Sequence, residues 1–304
     1  MLRILFLAAV LCAQQTSPPD VPKTAAAQDP DVEWICPMDK DVRSNKPGKC
    51  PRCGMMLVAN LPEPREFSVQ ITTKPAVMAA GKEIELDFRM TDPDTHKPVR
   101  EFEIMHERLF HLFVVSQDTK FFRHIHPVIQ PDGSFRLGVT FPHAGEYRVL
   151  SDFYPKGATP QLIADTLFVP GEGFKLETAK LTADVAPKKT DNLEIELVTD
   201  PPQPLAGFKT LMFFKLKPDD GIEQYIGAWG HMLAASWDLI DMIHTHPFLV
   251  TDPVLVTDPE EGAYKQVQFN MIFPRAGVYR VWTQFQRKGV VNTVVFDVPV
   301  KNLE

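Results

Sequence analysis

The sequence predicts an all-β chain, with two tandem β-sandwiches behind a small cysteine-rich module. Three observations predict it. Short runs rich in Val, Ile, Phe, Tyr and Thr, separated by polar turns, recur from about residue 67 to 301. Those runs fall into two segments, about 67–171 and 191–301, that repeat one another. Three cysteines and three methionines crowd into residues 34–58, WICPMDKDVRSNKPGKCPRCGMMLV. A chain of 304 residues is long enough for two or three domains, and 28 prolines against 16 glycines suit strand edges and stiff connections. A net charge of −7 with no basic block argues against nucleic acid as a partner, because phosphates call for clustered Lys and Arg.

The first element is a leader. MLRILFLAAVLCA carries Arg3 and then eight apolar residues, Ile4 to Leu11. A bilayer span needs roughly 20 residues, so residues 1–13 read as a secretory signal cleaved after about Ala13. Lipoprotein anchoring through Cys12 is the lesser alternative, since Leu11 stands where such signals carry a small residue. No later segment is long and apolar enough for a membrane helix. The mature chain is therefore expected to be exported to the periplasm or outer cell envelope. Residues 14–32 (QQTSPPDVPKTAAAQDPDV) have no periodicity and read as a flexible linker.

Residues 33–60 form the cysteine module. Cleavage of the leader leaves Cys36, Cys50 and Cys53, an odd count that cannot be fully paired within the chain. Clustered thiols then point to a metal, with redox reactivity as second choice. Cys50-Pro-Arg-Cys53 places two thiolates in one tight turn, where they can clasp one ion, and Gly54 follows where a left-handed backbone closes such turns. Cys36 can fold back as a hairpin, bringing Met38, Met55 and Met56 nearby. Thiolate with thioether is a soft set that favours Cu(I) over Mg²⁺ or Ca²⁺. The other reading is a zinc-stabilised knuckle, because so small a module buries little apolar surface by itself.

The pattern CPM…KPGKCPxCGMxLV resembles the small heavy-metal-binding domain of copper-transporting ATPases and of periplasmic adaptors in copper, silver and cobalt–zinc–cadmium efflux. The resemblance covers about 25 residues. It implies metal binding through Cys36, Met38, Cys50, Cys53 and Met55, and leaves the choice of ion between copper (Cu(I)) and zinc open. One position departs: the family usually reads CPMHP, and here Asp39, a harder ligand, stands in place of the histidine.

After a stiff LPEPRE connector (61–66) comes the first sandwich, 67–171, and after a polar stretch ending in APKKTDN the second, 191–301. FRHIHP at 122–127 matches MIHTHP at 242–247, and TFPHAGEYRV at 140–149 matches IFPRAGVYRV at 272–281. About seven strands in each copy suggest Greek-key sandwiches of immunoglobulin-like or cupredoxin-like type. Tyr147 and Tyr279 read as tyrosine corners, each phenol bonded to backbone. The segments also resemble uncharacterised β domains that accompany such modules in exported bacterial proteins. That resemblance rests on FHL/GHL, HxHP and FPxAGxYRV and implies fold rather than reaction.

Six of the nine histidines fall at matched positions in the two copies. If QDTK turns the first hairpin, Ser116 faces Phe121, His111 lies opposite His126, and His124 shares their face because strand side chains alternate. The second copy repeats the arithmetic with His231, His246 and His244. The triads His111, His124, His126 and His231, His244, His246 are thus candidate second sites for Cu(II) or Zn(II), with the first copy preferred. The alternative is packing, since Phe113, Val115 and Phe122 share that face and are expected to point inward. His96 and His143 read as surface residues, and Asp152, matched by Gln284, as a solvated or turn-capping carboxylate, with orientation of a histidine as the lesser alternative.

There is no GxSxG, phosphate loop, HExxH or dinucleotide fingerprint. Neither β segment holds a cysteine for a blue-copper site. The expected function is a non-enzymatic, exported heavy-metal-binding protein in copper handling or resistance. Its partners would be metal ions and a metal-efflux pump or metallochaperone. The alternatives are an envelope structural or interaction protein with a structural zinc knuckle, a subunit of a metal-efflux system, and a metal-dependent enzyme using a three-histidine site. No sustained heptads support an adaptor's coiled-coil hairpin.

Overall fold

The computed structural model describes residues 33–39, 41–59, 65–176, 178–247, 255–258 and 262–303. The expected leader, the linker 14–32 and most of the LPEPRE connector lie outside the described residues. The chain divides into two units, Met1–Glu63 and Pro64–Glu304. Every regular element among the described residues is a strand, so the all-β class holds. No helix there is long and apolar enough to cross a membrane.

The first unit contains three two-residue strands, β1 (Trp34–Ile35), β2 (Arg43–Ser44) and β3 (Val58–Ala59), in the antiparallel order β2-β1-β3. Its core is minimal. Cys36, Cys50 and Leu57 are buried, with Trp34 and Val42 packed against them. Burying one leucine yields about 1.5–3 kcal/mol, whereas ordering each residue costs roughly 1–2 kcal/mol. Such a module needs cross-links other than apolar packing.

The second unit holds the repeat. The first copy runs β4 (Ser68–Lys74), β5 (Glu83–Thr91), β6 (Phe110–Ser116), β7 (Phe122–Ile125), β8 (Val128–Ile129), β9 (Phe135–Thr140), β10 (Gly145–Phe153) and β11 (Gln161–Val169). Its sheets are β4-β5-β9-β8 and β11-β10-β6-β7. They share one core, in which Ile84, Leu86 and Phe88 of β5 meet Phe110, Leu112 and Val114 of β6. The second copy runs β12 (Lys188–Lys189), β13 (Glu194–Asp200), β14 (Lys209–Lys217), β15 (Ile222–Glu223), β16 (His231–Ser236), β17 (Met242–Thr245), β18 (Leu255–Asp258), β19 (Gly262–Ile272), β20 (Gly277–Arg287) and β21 (Val290–Val300). Its sheets contain the paths β13-β14-β19-β18 and β21-β20-β16-β17, strand for strand the order of the first copy. Strand β12, at Lys188–Lys189 in the polar separator, adds an edge to β13.

The hairpin register is the one the sequence predicts. Phe113 pairs with His124 and Leu112 with Ile125, and the Ser116 N–H donates to Phe121 O at 3.0 Å. In the second copy Leu233 pairs with His244 and Met232 with Thr245. The direction of the histidine face differs from expectation. Strand β6 is buried on both faces. Phe110, Leu112 and Val114 enter their own core, while Phe113 and Val115 join Leu150 against Leu233, Ala235, Leu239, Met242 and Trp282 of the other copy. The alternating face therefore meets a second apolar sheet rather than the core of its own copy. The Phe122 and Trp282 rings stack across this seam at 5.0 Å.

The tyrosine expectation holds in one copy and is modified in the other. Tyr147 Oη donates to the His143 carbonyl at 2.8 Å. Tyr279 Oη instead donates to the Asp241 carboxylate at 2.7 Å while accepting from the Arg275 N–H at 3.2 Å.

Candidate metal centres

The module's turns aim three thiols at one point. Val42 N–H donates to Asp39 O and Cys36 N–H to Val42 O, closing a tight loop after β1. Gly54 N–H donates to Cys50 O at 2.9 Å, and Gly54 takes φ +75°, the left-handed conformation expected of that glycine. Cys36, Asp39, Cys50 and Cys53 then offer four ligand atoms within 4.8 Å of one another. Cys36 Sγ and Cys53 Sγ are 3.4 Å apart, far beyond a disulfide's ~2.0 Å, and all three thiols are free. Asp39 Oδ2 lies 3.4 Å from Cys50 Sγ and 3.8 Å from Cys36 Sγ. A tetrahedral ion with bonds of ~2.3 Å to sulfur and ~2.0–2.2 Å to oxygen spaces its ligands by about 3.8 Å (S–S) and about 3.6 Å (S–O). The group fits such an ion with small adjustment.

Backbone and charge prepare the ligands. The Asp39 N–H donates to Cys36 Sγ at 3.3 Å and the Arg52 N–H to Cys50 Sγ at 3.4 Å. Burial opposes ionisation of Cys36, but the Asp39 N–H, the Cys53 thiol, the Met38 N–H and the Cys50 thiol hold its pKa below the ordinary value. Burial likewise opposes ionisation of Asp39, yet donation from Cys53, Arg52 and Cys50 keeps its carboxyl below the usual range. Arg52 Nη1 donates to Asp39 Oδ1 at 3.2 Å and Nη2 to Asp41 Oδ2 at 2.8 Å, leaving Asp39 Oδ2 turned to the thiols. Asp39 is thus the fourth side chain of the group. Met38 and Met55, which the resemblance implies as ligands, are 71% and 44% exposed.

The histidines assemble elsewhere, on the seam of the second unit. His111 is the second residue of β6 and His231 the first of β16, and His124 and His244 lie on β7 and β17, with His126 and His246 just beyond. His111 Nδ1 is 3.1 Å from His124 Nε2 and 3.2 Å from His126 Nε2. Across the seam the His124 ring centroid lies 5.2 Å from that of His231 and 5.9 Å from that of His244. Two groups of nitrogens within 4.8 Å result: His111, His124, His126, and the cross-copy set His124, His231, His244. The separate triads expected for each copy therefore converge in one cluster. His106 stacks on His246 at 3.7 Å.

Each anchoring contact is repeated. The His111 Nε2–H donates to Met105 O at 2.9 Å, and the His231 Nε2–H to Tyr225 O at 2.8 Å. The His124 Nδ1–H donates to Gln284 Oε1 at 2.7 Å, and the His244 Nδ1–H to Asp152 Oδ2 at 2.5 Å. Asp152 is buried and grips a histidine 92 positions away, which corrects its reading as a solvated carboxylate. The signal was present in the sequence as the matched pair Asp152/Gln284. Each sits in β10 or β20 directly opposite its own copy's first histidine, His111 or His231. Burial, reinforced by neighbouring imidazoles, pushes His111 down to about 4 and His126 and His231 to about 3. His124 and His246 are also lowered, by the same causes. These imidazoles are neutral at neutral pH, the form that binds metals.

Residues 33–60 match the family model of the heavy metal binding domain. Residues 65–165 and 178–302 match the domain of unknown function DUF8832, over more than half of the chain. The chain belongs to that family. The two DUF8832 segments cover the two sheet-pair copies apart from the end of β11, and the histidine cluster lies on the seam between the copies. No curated protein matches. Among solved structures, a protein of Corynebacterium diphtheriae described as membrane-anchored is 9% identical, with a TM-score of 0.23. The match covers 80% of this chain, which spans only 61% of that one. Bovine butyrophilin is 10% identical at a TM-score of 0.20, with 77% of this chain and 99% of that one covered. Scores this low carry no argument about this DUF8832 chain.

Proposed function

We propose that the protein is an exported, non-enzymatic carrier of heavy-metal ions that serves copper handling. The carrying observation is the convergence of Cys36, Cys50, Cys53 and Asp39 in a module whose core is otherwise Leu57. Three thiolates satisfy Cu(I), a soft ion content with two or three sulfurs, and Asp39 adds the fourth, harder ligand that Zn(II) favours. The leader-like residues 1–13 support export, and the partner of such a carrier would be an efflux pump or metallochaperone. The test is a Cu(I) titration of the mature full chain against its Cys50→Ser variant. Tight Cu(I) binding that is lost in the variant supports the reading, and unchanged binding overturns it.

A second reading, a structural zinc knuckle in an envelope interaction protein, is favoured by the burial of Cys36 and Cys50. An ion on those thiols is part of the core and helps hold it folded. It predicts zinc that exchanges slowly and is not displaced by Cu(I), whereas the carrier reading predicts displacement within minutes.

A further inference from the structure

Four of the seam histidines are locked into one tautomer. The hydrogens on His111 Nε2, His231 Nε2, His124 Nδ1 and His244 Nδ1 are committed to Met105 O, Tyr225 O, Gln284 Oε1 and Asp152 Oδ2. Gln284 Nε2 in turn donates to Thr293 Oγ1 at 3.1 Å, which ties the amide into β21. An imidazole in its neutral form carries one N–H, which leaves the other nitrogen a bare lone pair. His111 Nδ1 and His124 Nε2 thus face each other at 3.1 Å with no proton between them. His231 Nδ1, His244 Nε2 and His246 Nε2 are buried without a hydrogen-bond partner. Buried acceptors facing one another cost free energy unless something positive lies among them.

A metal ion resolves the conflict. Bonds of ~2.0–2.1 Å from a tetrahedral ion space two nitrogens by about 3.3–3.4 Å, close to the 3.1 and 3.2 Å between His111 Nδ1 and its two neighbours. His124 belongs to both groups, and with its Nδ1–H on Gln284 the one remaining lone pair can serve only one ion. We propose that the seam is a single imidazole metal centre for a borderline divalent cation, Cu(II) or Zn(II), built from both copies. Its ligands are drawn, up to four at a time, from His124, His111 and His126 of the first copy and His231 and His244 of the second. The two anchors that cross the seam, Gln284 to His124 and Asp152 to His244, hold each copy's ligand from the other copy. Asp152 also supplies the negative charge nearest the ion. The centre is independent of the cysteine module, so either assignment can fail without the other.

The test uses the full mature chain with Cys36, Cys50 and Cys53 changed to Ser, which silences the module. Cu(II) is titrated and followed by electron paramagnetic resonance, with melting of the metal-free protein as the check on folding. The expected result is one equivalent of Cu(II) with hyperfine splitting from several nitrogens. His124→Gln, and separately His231→Gln with His244→Gln, should each weaken binding at least 100-fold, while surface His96→Gln leaves it unchanged. If a histidine variant fails to fold, Asp152→Asn is the gentler probe and should weaken binding about 10-fold. No Cu(II) binding by the triple-Ser chain overturns the proposal. So does binding that survives the second-copy changes at full strength, or unchanged binding in Asp152→Asn, because the centre would then not be shared.

Discussion

Asp39→Ala is the most informative single change in the module. Its Oδ2 sits 3.4 and 3.8 Å from two of the three sulfurs, at the spacing of a fourth tetrahedral ligand. Structural zinc sites yield roughly 10–16 kcal/mol of apparent binding, or about 2.5–4 kcal/mol for each of four ligands. Loss of Asp39 should therefore weaken Zn(II) by about 70- to 1,000-fold. Cu(I), held by Cys36, Cys50 and Cys53, should change by no more than about 3-fold, since three thiolates already satisfy it. The assay is competition against a chromophoric chelator for each metal, in a His124→Gln background that removes the seam centre. An equal loss for both metals would show that Asp39 acts through folding of the module. An unchanged Zn(II) affinity would show that it is no ligand. Either result refutes the reasoning.

Three further outcomes follow from the same structure. Arg52→Ala frees the Asp39 carboxylate from its guanidinium anchor and should cost Zn(II) affinity about 10–100-fold, measured by the same competition. Gly230→Ala should destabilise the second copy by about 1–3 kcal/mol in thermal melts, because an added Cβ would lie 2.7 Å from Phe285 Cε1 and 3.2 Å from Phe269 Cζ. Asp238 is held down to about 2: burial opposes, but Arg275, Ser236 and the Ile240 N–H outweigh it. A carboxylate lowered on folding stabilises above its unfolded pKa near 4 and ceases to do so as pH falls through about 2. Asp238→Asn should thus cost about 1–2 kcal/mol at pH 7 and flatten the stability profile between about pH 4 and 2, seen in urea melts.

Much of the architecture was legible because local chemistry dictates it. The QDTK turn and the alternation of HLFVVS set the hairpin register, and the matched HxHP and AGxYR motifs announced that one fold was used twice. The seam was not legible for a physical reason. In β6, Phe110, Leu112 and Val114 are as apolar as Phe113 and Val115, so alternation cannot say which face meets its own core and which meets another sheet. The partners of His124 and His244 lie 160 and 92 positions away, beyond any local pattern. In the module, spacing located the thiols, but the placement of Asp39 depends on Arg52 drawing its other oxygen outward. The exposure of Met38 and Met55 likewise depends on how the loops close rather than on their closeness in sequence.

The central claim is that the cysteine module takes up a soft metal ion through Cys36, Cys50 and Cys53. X-ray absorption of the Cu(I)-loaded full chain tests it most directly. The account predicts a first shell dominated by sulfur that disappears in Cys50→Ser. A shell of nitrogen and oxygen alone, or a sulfur shell that persists without these cysteines, would contradict it.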